Sequence, residues 1–183
     1  MSLRTLSDHV ADICQNSVKA GAHTVQLEIV EDENTFFFKV VDDAGGMPKA
    51  LLDRIFDPFF TTRDKNIRRV GLGIPFLKAA AEQTGGTMNI ISHEGTGTIT
   101  SAKFIKTNID CQPVGDLVGT LFTLITSDKD IFWKITRQYD GDEYVIDTEK
   151  LTQNLPDRSM WENPAYMNLL RESLYEMESS IKD

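Results

Sequence analysis

Val40-Val41-Asp42-Asp43-Ala44-Gly45-Gly46-Met47 ends an apolar run on two carboxylates and then turns through glycines. The run behind it, Thr35–Asp43, alternates as a strand does. Phe36, Phe38, Val40 and Asp42 share one face, and Phe37, Lys39, Val41 and Asp43 share the other. Asp42 thus closes an unbroken apolar row and points inward, while Asp43 follows Lys39 outward. An unpaired carboxylate in such a place costs on the order of several kcal/mol, so a site that keeps one supplies donors to it. Further on, Thr61-Thr62-Arg63 is followed by Gly71-Leu72-Gly73-Ile74, a second glycine pair opening a helix. Free N–H groups and the positive dipole end make such an opening an anion site without side chains. One acceptor for a base edge and one cradle for phosphate stand in order along the chain, which is the layout of a nucleotide pocket.

The segments on either side fit a mixed sheet under helices. Leu3, Leu6, Val10, Ile13 and Cys14 carry the spacing of a helix with one buried face over residues 3–20, ended by Gly21. Asp12, Asn16 and Lys19 lie on its opposite face, within about 60° of one another. Thr24–Val30 and Thr35–Asp43 form a hairpin. Pro48–Phe56 is a short helix, and Asp57–Val70 is a loop holding Arg63, Lys65, Arg68 and Arg69 against a single interior acid, Asp64. A helix from Leu72 to Gln83 stops at Gly85-Gly86, and strands follow at Thr87–Ser92 and Thr98–Lys106 around Gly95-Thr96-Gly97. Past residue 107 the pattern predicts a helix at Val114–Ile125 and a hairpin of Ile131–Gln138 with Glu143–Asp147 turned at Asp140-Gly141-Asp142, which extends the sheet. A linker bracketed by Pro156 and Pro164 and a last helix over Pro164–Ile181 follow. The division is a domain over 1–106 and an acidic α+β extension over 107–183.

At 183 residues and 40% hydrophobic content the chain holds a real core. No apolar run approaches the roughly 20 residues that span a bilayer, and the N-terminus lacks a secretory apolar stretch; the reading is a cytoplasmic chain with no membrane partner. Cys14 and Cys111 are far apart and read as small hydrophobes. With His9, His23 and His93 equally scattered, zinc is not expected. The formal charge of −9 is concentrated after residue 107, where 15 acids face 7 bases, against 13 and 12 before it. Nucleic-acid binding draws on clustered Lys and Arg, so no nucleic acid is expected as partner.

Asp12-Ile13-Cys14-Gln15-Asn16-Ser17, Asp42 through Met47, Ile55-Phe56-Asp57-Pro58-Phe59-Phe60-Thr61-Thr62-Arg63, Gly71-Leu72-Gly73-Ile74, Gly85-Gly86 and Gly95-Thr96-Gly97-Thr98 stand in the order of the motif boxes of one superfamily. Over residues 8–104 the chain resembles the ATPases that unite gyrase, Hsp90, histidine kinases and MutL. The resemblance implies a two-layer α+β sandwich of the Bergerat type, a mixed and mostly antiparallel sheet covered on one face by helices. It also implies ATP and magnesium as ligands.

Carried over residue by residue, the resemblance makes Asn16 the magnesium ligand, a neutral amide oxygen suited to a hard cation that also bridges phosphates. Asp42 accepts from the adenine amino group. Gly46, Met47, Phe59, Thr62, Arg63, Gly71, Leu72 and Gly73 line the nucleotide, with Arg69 standing where another glycine is usual and offering a guanidinium to the phosphates. Thr98 flanks the phosphates or braces that wall. Lys19 resembles the lysine of histidine kinases. Asp12 stands where the hydrolysing branches have a glutamate; one methylene shorter, it withdraws the base by roughly 1.5 Å, which implies inefficient hydrolysis. Ala44 replaces the first glycine of the Asp-x-Gly-x-Gly pattern, which puts the loop's torsions in question.

Histidine kinases carry their acceptor histidine in a separate helical hairpin; His93-Glu94 lacks the proline of that motif and precedes Gly95 and Gly97. The expectation is a module similar to a sensor kinase's ATPase domain, passing phosphoryl to a partner protein. The alternative is a non-catalytic ATP- or ADP-dependent regulator. Either form fits a homodimer.

Overall fold

The computed structural model describes residues 3–56 and 72–183. Helix α1, Leu6–Lys19, opens with a reciprocal cap: the Thr5 hydroxyl accepts from the Asp8 N–H, and the Asp8 carboxylate accepts from the Thr5 N–H. It therefore begins three residues later than the apolar spacing suggested. Its buried side is Leu6, Val10, Ile13 and Cys14, with His9 and Ser17 beside them.

Strands β1 (Thr24–Glu31) and β2 (Thr35–Asp42) pair antiparallel, Val25 opposite Asp42 and Glu31 opposite Phe36. After a single helical turn, α2 (Lys49–Leu52), and helix α3 (Gly73–Gln83), strands β3 (Thr87–His93) and β4 (Gly97–Ile105) return antiparallel. β4 lies against β2, with Asp42 opposite Thr98. Helix α4, Leu117–Ser127, starts at the Asp116 cap, whose carboxylate accepts from the Gly119 N–H. Residues 114–116 therefore stay outside the helix.

Strands β5 (Phe132–Tyr139) and β6 (Asp142–Asp147) form a hairpin on a two-residue Asp140-Gly141 turn, with φ of 48° and 105°. Two positive φ values match the twist of the flanking strands, and Asp-Gly is a favoured pair for that geometry. β5 runs parallel to β1, giving one six-stranded sheet in the order β3-β4-β2-β1-β5-β6. It is mixed and mostly antiparallel, as expected.

The linker bracketed by Pro156 and Pro164 holds a 3-10 turn, and a short helix stands before it, where no element is expected from sequence. Helix α5, Thr148–Gln153, is capped by Asp147, and a 3-10 turn, Arg158–Glu162, is capped by Asp157. Short capped turns leave little periodic signal in a sequence, so neither element is legible there. The last helix, α6 (Pro164–Ser180), carries proline at its start behind the Asn163 cap.

One sheet face is buried under the helices through Val25, Leu27, Ile29, Phe36, Phe38, Val40, Phe104, Trp133 and Ile135. α1 lies over β1 and β2, α3 over β3 and β4, α4 against α1, and α6 against α4. The other face is open and carries a Glu28–Lys39 ion pair. Among the described residues no helix is long and apolar enough to cross a membrane.

At the end of the sheet remote from Asp42, the fully buried Arg137 of β5 donates to Glu31 of β1 at 2.6 Å and to Glu178 of α6 at 2.9 Å. Lys106 reaches Glu31 at 2.7 Å, Lys182 reaches Glu178 at 2.8 Å, and the Tyr144 hydroxyl donates to Glu178. Burial opposes the charge on Glu178, but the hydrogen bonds from Arg137 and Lys182 outweigh it and hold its carboxyl below the usual range. The network fastens the C-terminal helix to the first hairpin.

Candidate functional site

Asp42 ends β2 facing α1. Its Oδ2 accepts from the Ser17 hydroxyl at 2.6 Å, and its Oδ1 accepts from the Ala44 N–H at 3.1 Å. Asp43 points the other way: it accepts from the N–H groups of His23 and Thr24 at 2.7 and 3.0 Å and so fixes the start of β1. Burial raises the Asp43 carboxyl, but those two donors bring it below its ordinary value overall. The two adjacent acids thus have different duties: Asp43 fixes the start of β1, and Asp42 turns toward α1. Beneath Asp42 lies Cys14, whose thiol is pushed up by burial and by the neighbouring carboxylate.

The loop after Asp42 is locked onto the β3–β4 turn. Gly46 has φ of 63°, and a Cβ there would lie 2.0 Å from the His93 carbonyl oxygen, so no side chain fits. Gly97, at φ of 134°, approaches the Asp42 carbonyl as closely, with 1.9 Å to an added Cβ. The Gly95 N–H donates to the Gly45 carbonyl at 2.8 Å. The buried Ser92 hydroxyl accepts from the Met47 N–H at 2.8 Å and lies 2.8 Å from the Thr98 hydroxyl. Ala44 is buried and does not join the positive-φ residues, so the methyl that replaces the expected glycine packs without backbone strain.

Toward the N-terminal half of α1, α3 begins at Gly73, with Leu72 exposed before it. A Cβ on Gly73 would lie 1.8 Å from Asp12 Oδ2, so the Asp12 carboxylate sits directly against the helix opening. α1 therefore touches the carboxylate end through Ser17 and the glycine end through Asp12, five residues apart and about 7.5 Å along its axis. Asn16 is half-buried between those two contacts, and its amide makes no hydrogen bond among the described residues. Lys19 is exposed in the last turn, about 10.5 Å along the axis from Asp12 and away from Gly73. Thr98 stands beside Asp42 in register. Of the other residues named from sequence, Phe59, Thr62, Arg63, Arg69 and Gly71 lie outside the described residues, as does the whole basic 57–70 loop.

Two residues that brace Asp42 and the loop after it escaped the sequence reading. Ser17 follows Asn16 directly, and its turn toward the buried side of α1 was available from the helical period. Ser92 carried no such signal, because its partner Met47 is 45 residues away.

A carboxylate at a strand end, a helix bearing asparagine across from it, a glycine loop pinned to the next hairpin and a glycine-opened helix define a two-layer α/β protein with its helices on one face of the sheet. Residues 2–108 match the family described as histidine kinase-, DNA gyrase B-, and HSP90-like ATPase. The chain belongs to that family. It is 35% identical to sporulation kinase A of Bacillus subtilis over 97 residues, covering 52% of this chain and 16% of the kinase. It is 30% identical over 79 residues to the sensor protein KdpD of Clostridium acetobutylicum, covering 42% of this chain and 9% of that one. The chain thus spans a small part of the length of these curated relatives. The ATPase domain of Aquifex aeolicus MutL, solved with ADP, superposes with a TM-score of 0.53 at 12% identity over 83% of this chain and 69% of that one, a likeness of fold.

Proposed function

We propose that the chain binds adenine nucleotide between α1 and the sheet and passes a phosphoryl group to a partner protein. The observation that carries this reading is the Asp42 carboxylate, held by Ser17 at 2.6 Å with Thr98 beside it and unmatched by any basic side chain among the described residues. Its two donors leave lone pairs open, which suits the amino edge of adenine.

The phosphates run toward Gly73, where the first N–H groups of α3 are unpaired within the helix. Asn16 fits a magnesium ion: its amide is half-buried and unbonded among the described residues, and a hard cation that keeps waters and phosphate oxygens needs one or two protein oxygens. Among the described residues no group of three acids, histidines or cysteines offers an all-protein metal cage. When bound, magnesium supplies charge neutralisation along the polyphosphate. Asn16 orients that end of the nucleotide, Asp42 fixes the base, and the wall of Gly46 and Met47 excludes water from the base edge. In phosphoryl transfer the protein mainly positions groups, so the short Asp12, weak as a base for water, is no obstacle.

Calorimetric titration with ATP and ADP, with and without magnesium, tests binding. Incubation with γ-labelled ATP and purified candidate partners tests transfer. Label on a partner supports the phosphotransferase. Nucleotide-dependent stabilisation with no transfer supports a regulatory switch, and no heat from a natively folded sample removes the pocket.

A further inference from the structure

Among the described residues β3 is an edge strand: β4 pairs with one side, and no described strand lies on the other. Edges of this kind expose unpaired backbone groups, and natural ones are blunted by charge, proline or a bulge. Thr87-Met88-Asn89-Ile90-Ile91-Ser92 has no charge and no proline, and its register with β4 runs unbroken from Thr87 opposite Lys103 to His93 opposite Gly97. The opposite edge is built differently. β6 sets Asp142, Glu143 and Asp147 along six residues.

An apolar strip leads to the bare edge across the open sheet face. Ile91 is 46% exposed, and its cross-strand partner Ile99 is 38% exposed. Val41 continues the row on β2.

We propose that β3 is a self-association edge, where a second copy of this chain lays its own β3 antiparallel about a two-fold axis falling among Asn89, Ile90 and Ile91. The sheet then runs across both subunits, and Ile91 of each gains a cross-strand neighbour from the other. Charge selects the occupant. With a net charge of −9, two copies repel over most of their surfaces, and the neutral β3 lets them approach without opposing like charges. An isologous contact sets the same strand against itself, which β6 cannot bear, because its acids would face their own copies. A strand-sized contact lies at the small end of stable interfaces, so the dimer depends on concentration. The proposal stands apart from the nucleotide reading.

Sedimentation velocity on the full chain without nucleotide, up to ~0.5 mM, tests it. The sedimenting mass rises from 20.6 kDa toward double that value. Ile91→Lys brings two ammonium groups close to the axis and weakens association roughly tenfold or more. Val145→Lys, on the same open face but on β6, leaves association unchanged. Both positions are exposed, so both variants keep the wild-type melting temperature. Amide exchange over residues 87–93 slows as the wild-type concentration rises. A wild-type chain that stays at one subunit's mass throughout overturns the proposal. So does a dimer that Ile91→Lys forms equally well while exchange over 87–93 ignores dilution.

Discussion

The Asp12 carboxylate occupies the space that a side chain at Gly73 would need: an added Cβ would lie 1.8 Å from Oδ2. The contact joins the middle of α1 to the first turn of α3, and a residue without a side chain leaves room for both. It also sets a carboxylate against the helix opening where the nucleotide reading places phosphates.

Gly73→Ala separates folding from binding at this contact. Asp12 is half-buried and short, so it can swing aside, and alanine favours a helix over glycine by up to about 1 kcal/mol. The melting temperature stays close to wild type, while ADP affinity falls roughly tenfold because the methyl narrows the cradle. Calorimetry showing unchanged affinity would place the phosphates elsewhere.

Asp42→Asn keeps the shape of the side chain and removes its charge. Adenine-nucleotide affinity drops by roughly ten- to a hundredfold, with a smaller effect on folding. Ser17→Ala removes the 2.6 Å hydrogen bond and costs about 1–2 kcal/mol in urea unfolding. Equal ATP affinity in Asp42→Asn and wild type would take Asp42 out of the site.

Arg137→Met leaves Glu31 and Glu178 buried without their shared partner. Loss of one member of such a group costs about 3–5 kcal/mol. Lys39→Met, which breaks the Glu28 pair on the open face, costs under about 1 kcal/mol. The contrast is read from urea midpoints; similar midpoints for the two variants would deny the buried network its role in holding α6.

His9 makes stability depend on mild acid. The residue is 2% exposed, its Nε2 pairs with the Gln112 side-chain oxygen, and its Nδ1 has no hydrogen-bond partner among the described residues. Gln112 donates its own amide to the Leu3 carbonyl, so that oxygen accepts, and His9 stays neutral with the proton on Nε2. Burial pulls the His9 value below the ordinary 6.5, against the weaker opposing effects of Gln112, Asp12 and Asp8. The unfolded chain therefore binds the proton first. Stability is full above about pH 6.5 and is lost as pH falls from there through the lowered native value. Replacing His9 with glutamine flattens that part of the melting-temperature profile, and an unchanged profile would assign the acid sensitivity to other groups.

The sheet class, the direction of Asp42 and the glycine-opened helix were legible because each is written in a short period. Alternation along Phe36, Phe38 and Val40 separates Asp42 from Asp43, and the glycine pair ahead of an apolar run marks where a helix opens, which is where α3 begins at Gly73. Ala44 was harder. The replaced glycine suggested a disturbed loop, whereas the backbone there needs no positive φ, and the real steric demand falls on Gly46 and Gly97.

Local periodicity tells each residue which way to face, and that much the sequence determined by itself: helix α1 with its polar stripe, the hairpin ending in a carboxylate and the family's ordered boxes. Which distant group a residue meets was decided only when the chain closed. Ser17 reaches Asp42 across 25 residues, Ser92 braces Met47 across 45, and Arg137 reaches Glu31 across 106. The parallel docking of β5 on β1 belongs with these, since pairing between strands so far apart depends on how the intervening helices pack and leaves no repeat along the chain.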